Sequence, residues 1–362
     1  MPVTGNQNHP PSASPFAVPT LSVIIPTLNE AAALPGLLER LRGQQGIALE
    51  VIVADGGSGD ATRAVARAGG AVWVEAPRGR GSQMNAGARL ARGARLLFLH
   101  ADSGLPDSGL LAAALACLEQ AQRRLGHRRV AGHFPLRFAD ANPRTLGRLR
   151  YQEAKSALDR EECINGDQGL LLDGAFFREL GGFDSSLPFL EDQRLARRIF
   201  RQGSWITLPG HLVTSARRFE AEGYWRRSLL NMVIMACHHL DWEAFFLQAP
   251  AIYRTQTAAG PLRLVPFLDL AWRLDRASPW RVRVQRWRGF GRYGLESLWQ
   301  VFFRLDLALG RWEPGTRRPA LAFHDWLAGP LLRLPLLELP VALLLWLLVT
   351  GVGLGSAWRS RA

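Results

Sequence analysis

The chain has 362 residues, 48% of them hydrophobic, and a formal net charge of +13 carried almost wholly by arginine, Lys155 being its only lysine. That length buries one large α/β domain with an appendage, or two domains. The three cysteines, Cys117, Cys163 and Cys237, are too scattered for a disulfide framework or a metal spacing, which points to a reducing compartment.

Residues 1–18 are rich in Pro, Ser and Asn and lack an apolar run, so they read as a disordered tail and not as a signal peptide. Strands and helices then alternate. Strands are expected over 21–26, 49–54, 71–75 and 95–100, and helices over 30–42, 59–68 and 82–93. In the first helix Ala33, Leu34, Leu37, Leu38 and Leu41 recur at helical spacing. This order implies a mainly parallel sheet with helices on both faces. Beyond it the order changes. Helices are expected over 107–125, 143–160 and 191–203, and strands over 130–138, 169–174 and 204–209. A mixed sheet suits that half.

From about residue 245 the composition shifts to tryptophan among arginines, as in WRLDRASPWRVRVQRWRGFGR. Residues 246–328 are therefore an Arg/Trp-rich helical region. Tryptophan and arginine together suit a membrane interface. The positive charge would also suit nucleic acid, but no recognised nucleic-acid fold is present, so none is expected as a partner. Residues 329–362 form a hydrophobic membrane-associating segment. Leu339 to Trp358 carries no charge and is about long enough to span a bilayer core, though Pro340 and three glycines weaken it as a helix. Arg359 and Arg361 follow it, against the positive-inside tendency for a span starting inside the cell. Whether the segment spans or lies on the membrane stays open.

Two carboxylates follow short apolar runs: Asp55 in VIVADGGSGD and Asp102 in LLFLHADSG. Each falls where a strand ends, the edge at which open α/β sheets bind ligands. A third acidic pair, Glu191-Asp192, opens a helix. Pro26 ends the first strand, and Thr27, Asn29 and Glu30 offer polar groups beyond it, for a ligand or for helix capping. Arg78 and Arg80 lie in a Gly-rich loop before a helix, as phosphate contacts or as a solvated face.

LSVIIPTLNE, VIVADGGSGD, LLFLHADS and GGFD…FLEDQRLARR, in this order over roughly residues 20–215, resemble the family 2 glycosyltransferases of GT-A fold. RGRGSQMNAGA, INGDQG and TSARRFEAEGYWRR look closer to a bacterial branch of glycosyltransferase-like proteins associated with arsenosugar biosynthesis and selenium-linked clusters. This chain departs from that branch by adding about a hundred residues.

The resemblance implies a GT-A domain over 19–245 and transfer of a sugar from a nucleotide-diphosphate donor to an acceptor hydroxyl, with inversion. It implies donor contacts at Pro26, Thr27, Asn29, Glu30, Asp55 and Asp102; Arg80 and Asn85, in and after the Gly-rich loop, are donor contacts by their own position or part of a solvated face. Asp102 would bind Mg²⁺ or Mn²⁺, as the last position of an Asp-x-Asp element written here His100-Ala101-Asp102; His100 in place of the first acid is the departure. Asp192 would be the base, with Glu191 orienting it or capping the helix. Beside the resemblance, Asp167 and Gln168, in a turn between a helix and a strand, would line the acceptor side or form a polar turn, and Arg217 and Arg218 would close over the diphosphate or form a surface basic face. The acceptor is open, a lipid among the options, and the cytoplasmic face of the cell membrane is the expected location. The alternative from another class is a catalytically inactive, membrane-bound sugar-nucleotide sensor or scaffold.

Overall fold

The computed structural model describes residues 19–256 and 261–359, so the expected disordered tail of residues 1–18 lies outside the described residues. In chain order the strands are β1 (Leu21–Thr27), β2 (Leu49–Asp55), β3 (Val72–Glu75), β4 (Arg95–Phe98), β5 (Val130–His133), β6 (Leu136–Ala139), β7 (Leu170–Asp173), β8 (Ser204–Thr207) and β9 (Leu212–Ser215). The helices are α1 (Leu34–Arg42), α2 (Thr62–Ala68), α3 (Arg80–Leu90), α4 (Leu110–Leu125), α5 (Pro143–Ser156), α6 (Gly174–Glu179), α7 (Glu191–Gln202) and α8 (Arg217–Glu222). They continue as α9 (Tyr224–His239), α10 (Glu243–Gln256), α11 (Val265–Arg276), α12 (Trp280–Glu296), α13 (Trp299–Ala308), α14 (Pro319–Phe323), α15 (Gly329–Leu332) and α16 (Pro335–Arg359).

The chain divides into two compact units. The first is Met1–Pro135, Asp159–Ser185 and Glu191–Leu212; the second is Leu136–Leu158, Ser186–Leu190 and Val213–Ala362. The first unit thus closes at Leu212 and not at the composition shift near residue 245. Residues beyond 212 join a separate core: Leu230 and Cys237 of α9 pack with Phe245, Phe246, Phe267 and Leu270.

The first unit holds a seven-stranded sheet of order β3-β2-β1-β4-β7-β5-β8. β1, β2, β3 and β4 are parallel, and β7 runs antiparallel between β4 and β5. This is a mixed, mainly parallel α/β sheet flanked by helices. All seven residues of β1 are buried, as a central strand covered on both faces requires. Helix α1 starts later than its periodicity suggests, with Pro35 in its first turn and Leu34, Leu37, Leu38 and Leu41 buried on one stripe. Ile24, Ile52, Phe98, Leu172, Phe176, Leu195 and Ile199 form the core against the sheet.

Two expectations are corrected. The strand expected over 130–138 is two strands: β5 stays in the large sheet, and β6 leaves it to pair with β9. Pro135 sits at the break and cannot donate to a ladder. The helix expected over 143–160 ends at Ser156, whose hydroxyl donates to the Glu153 carbonyl (2.7 Å) and accepts from the Leu136 N–H (2.8 Å).

In the second unit part of the arginine and tryptophan content is internal. Asp275 is buried and accepts from Arg286 Nη1 (2.5 Å), Trp287 Nε1 (3.0 Å) and Arg283 Nε (3.2 Å). The Arg286 guanidinium also lies 4.1 Å from the centroid of the Trp242 ring. The region therefore does not present all of its basic residues outward.

Candidate active site

Because β1, β2 and β4 are parallel neighbours, their carboxyl ends share one edge of the sheet. The register pairs Thr27 with Asp55 and Phe98 with Leu170. β7 runs the other way, so the turn before it, Gly166–Gln168, reaches the same edge as the His100–Asp102 loop. Topology alone thus brings together loops from four places in the sequence.

Asp55 is buried and its carboxylate is fully engaged. Oδ1 accepts from the Thr27 hydroxyl (3.0 Å) and the Ser58 hydroxyl (2.5 Å). Oδ2 accepts from the N–H groups of Gly57 (2.8 Å) and Ser58 (2.7 Å). Burial works to raise its pKa, but these hydrogen bonds overcome burial and hold it below the ordinary carboxylate value. The loop is tied back to β1: Asn29, left-handed at φ 58°, donates its N–H to Ser58 Oγ (2.8 Å) and accepts from Gly59 N–H (2.9 Å) through Oδ1. Glu30 N–H donates to Thr62 Oγ1 (2.9 Å). Thr27, Asn29 and the Glu30 backbone therefore shape the Asp55 loop, while Pro26 is buried within β1 beside Ala54 of β2. Replacing Asp55 by Asn puts an amide N–H among these donors; we expect a loss of about 1–2 kcal/mol in urea unfolding.

Gln83 of α3 is not among the site residues expected above. It is buried, and its Nε2 donates to the carbonyls of Thr27 (2.6 Å) and Ala54 (2.9 Å), locking the ends of β1 and β2 together. Gln83→Leu leaves both carbonyls without that donor and should cost about 2 kcal/mol in the same assay.

Two expected ligand contacts are corrected. The Asn85 amide donates to Phe183 O (2.8 Å) and accepts from Phe183 N–H (2.9 Å), so it clamps the turn before Asp184 and is not turned to a donor. Gln168 is fully buried; its Oε1 accepts from Asn165 N–H (2.6 Å) in a reciprocal cap of the 166–168 turn. It builds the 166–168 turn from within and does not line its surface. Gln193, which the sequence did not flag, fastens the same turn from α7 through Nε2 to the Ile164 carbonyl.

The acidic centre lies on that frame. Asp192 Oδ2 accepts from Gly166 N–H (2.6 Å), and Oδ1 accepts from Gln193 N–H (2.8 Å). A Cβ at Gly166 would fall 3.0 Å from Asp192 Oδ2 and 3.1 Å from His100 Nε2, so any larger residue in the turn would press on both side chains and shift them by a few tenths of an ångström. His100, Gly166, Glu191 and Asp192 line one pocket with Met84, Phe98 and Trp205. Glu191 is buried at the start of α7 and ion-paired to Arg80 Nε (2.9 Å). Burial raises the Glu191 pKa; Arg80 opposes it and Asp192 adds to it. Arg80 thus meets the acidic pair directly, and no diphosphate is needed to explain its position.

Asp167 is the unsatisfied member. Its Oδ1 is sealed from solvent and has no hydrogen-bond partner. Burial pushes its pKa up to about 6, with the charges of Asp192 and Asp102 adding and that of Arg80 subtracting. Asp102 itself is exposed at the loop after β4. Among the described residues no group of three His, Cys, Asp or Glu converges as a ready metal cage. One exposed carboxylate and one orphaned carboxylate oxygen fit a cation whose shell is completed by substrate phosphates and water, as Mg²⁺ accepts, and do not fit a site built from protein ligands alone. Arg217 and Arg218 are exposed on the short helix α8 of the second unit, Arg217 lying 3.8 Å from Asp140.

Residues 22–163 match the model of the family described as Glycosyl transferase family 2. A PGL/p-HBAD biosynthesis glycosyltransferase of Mycobacterium bovis (strain BCG / Pasteur 1173P2) is 38% identical over 108 residues, which is 28% of this chain and 42% of that protein. A protein of the same description from Mycobacterium tuberculosis (strain ATCC 25177 / H37Ra) matches equally. The chain thus spans less than half the length of these relatives. Among solved structures, the mannosyltransferase PcManGT from Pyrobaculum calidifontis, in complex with GDP-Man and Mn²⁺, is similar at 22% identity, TM-score 0.44, over 94% of this chain and 88% of that one. S. aureus TarS 1-349 in complex with UDP is similar at 16% identity, TM-score 0.43, over 84% and 87%. The family match spans Asp55 and Asp102 and ends just before the turn that holds Asp192: over residues 22–163 the chain is similar to the family 2 glycosyl transferases.

Proposed function

We propose that the chain is an inverting glycosyltransferase that moves a sugar from a nucleoside diphosphate donor to an acceptor hydroxyl. The observation that carries this reading is the Asp192 carboxylate, fixed by two N–H groups in a pocket at the same sheet edge as Asp55 and Asp102. A nucleotide lies along that edge, its base against the Asp55 loop, where a ring N–H takes the place of the Ser58 hydroxyl as a donor to Asp55. Asp192 accepts the proton of the acceptor hydroxyl. The hydroxyl oxygen bonds to the anomeric carbon from the face opposite the diphosphate, the bond to the phosphate oxygen breaks, and the nucleoside diphosphate leaves. Arg80 holds Glu191 in an ion pair, which leaves Asp192 as the carboxylate turned to the acceptor.

Mg²⁺ or Mn²⁺ would be held by Asp102 together with donor phosphates and would neutralise the leaving diphosphate. Asp167, close enough to feel both Asp102 and Asp192, would offer its orphaned oxygen to a hydroxyl of the donor sugar. The acceptor is a hydroxyl met at the membrane, a lipid among the candidates, on the cytoplasmic side where nucleotide sugars are made.

The test is nucleoside diphosphate release from UDP-, GDP- and dTDP-sugars with Mg²⁺, with Mn²⁺ and with chelator. Release from one donor, lost with chelator and in Asp102→Asn, supports transfer. Tight nucleotide binding with no release, even with lipid extract as acceptor, would favour the sensor that His100 at the metal motif otherwise suggests.

A further inference from the structure

Helix α16 is inside out for a helix in water. From Pro335 to Leu347 its only ionisable residue, Glu338, is buried together with Ala342. Leu336, Leu339, Leu343, Leu344 and Leu347 face outward, each more than half exposed. A helix on the surface of a soluble domain has the opposite arrangement, with its apolar stripe inward and its charges out.

The turned-in carboxylate is held from α12. Arg292 Nε donates to Glu338 Oε1 (2.7 Å), and Arg288 Nη2 donates to Oε2 (3.3 Å). Gly291 makes the approach: a Cβ there would collide with the Glu338 carbonyl oxygen and lie 2.9 Å from the Ala342 nitrogen. Two guanidinium groups serve one carboxylate, and their side chains remain 45% and 53% exposed. Surplus positive charge therefore borders the apolar face. Residues 261–362 carry fifteen arginines against seven acidic residues.

The segment before α16 extends the apolar surface. Pro319–Leu332 and Pro335–Leu347 form a pair bent by 89° that together is apolar and long enough to suggest a broken span or a re-entrant loop. No single helix among the described residues is long and apolar enough to cross a membrane. Trp326, 77% exposed, and Leu331 lie on this pair, and Arg333 is exposed at its break.

We propose that the stretch from α14 to α16 is a one-leaflet anchor that seats the chain on an anionic phospholipid bilayer. The bend and the outward face of α16 enter the acyl region, while Arg288, Arg292 and Arg333 stay at the depth of the phosphates. Lipid is favoured as the occupant because the apolar face is bordered by arginines and tryptophan, the residues of a membrane interface. Insertion across the bilayer is disfavoured because α16 is bound along its first turns to α12. That helix carries Arg281, Arg283, Arg286, Arg288 and Arg292, which are costly to draw into hydrocarbon.

The anchor needs no donor and stands or falls apart from the transfer reaction. The full chain is floated with vesicles of phosphatidylcholine, alone and mixed with phosphatidylglycerol. It is expected to float with the mixed vesicles, less as salt rises. The combined variant Leu339→Gln, Leu343→Gln and Leu344→Gln should lower vesicle affinity on the order of 100-fold with its circular dichroism unchanged. For depth, Ser356→Cys in a Cys117→Ser background is bound to the outside of vesicles. It should react with an impermeant maleimide as fully as in detergent. Absence of flotation, with light scattering showing a dimer or not, overturns the proposal. So does undiminished binding by the triple variant, and so does a protected Cys, which would mean a span.

Discussion

Asp192→Asn is expected to lower nucleoside diphosphate release in the presence of acceptor by about 10³-fold, within the range for losing a general base. The folded state should lose only about 1 kcal/mol, because the asparagine NH₂ stands in for the carboxylate oxygen that accepts from Gln193 N–H. The side-chain oxygen of asparagine still accepts from Gly166 N–H, and the 2.6 Å bond that orients the native carboxylate persists in kind. Thermal unfolding in the variant should therefore stay near wild type while turnover collapses, and nucleotide affinity should be unchanged. A neutral amide cannot take the acceptor proton at any pH, so raising the pH should not rescue the rate. Equal losses in turnover and in stability would instead make Asp192 a structural cap of α7, a role that acids at a helix N-terminus also fill.

The second large effect is on stability. Asp167 sits in the first unit with its Oδ1 sealed and unpaired, and its pKa is raised from the ordinary 3.8 to about 6. A carboxyl with a raised folded pKa binds its proton more tightly in the folded state. Its favourable contribution is present below pH 3.8 and is lost as pH climbs through about 6. Above that, the ionised group costs the fold on the order of 2 kcal/mol. Asp167→Asn should remove this cost: the variant should be more stable than wild type at pH 7.5 and close to it at pH 4, by urea unfolding at each pH. Glu191, also raised by burial, should give wild type a further decline over the same rise in pH. The stabilised Asp167→Asn variant should be a poorer enzyme, because the strain is held at the site. A variant less stable than wild type at every pH would mean that the Asp167 charge is needed by Arg80 to hold the turn.

The periodic parts of the fold were legible. β1, β2 and β4 are runs of buried apolar residues, and the spacing of Leu34, Leu37, Leu38 and Leu41 gave the inward face of α1. The boundary between β5 and β6 was not, because apolar alternation continues through Pro135 although the two strands serve different sheets. Strand β9, four residues long, is specified by its pairing with β6 and not by its own pattern. At the site, the acids were legible because a carboxylate after a buried strand is conspicuous. The amides were not. Gln83, Asn85, Gln168 and Gln193 hold the acids in place through partners up to about a hundred positions away, and nothing in the local sequence distinguishes an amide that binds a ligand from one that binds a distant backbone. Asp167 reads from the sequence as an acceptor-side residue or a polar turn; the feature that makes it interesting, an acceptor oxygen with nothing to accept, exists only in three dimensions.

The most direct test of the account is the anomeric configuration of the product. Protein is incubated with the donor that the release panel identifies and with a lipid extract, wild type beside Asp192→Asn, and the first-formed glycoside is read by its anomeric proton coupling in NMR. Inversion in wild type, with about 10³-fold less product from the variant, is the predicted result. Retention, or product formed equally well without the Asp192 carboxylate, would contradict a single displacement driven by that base.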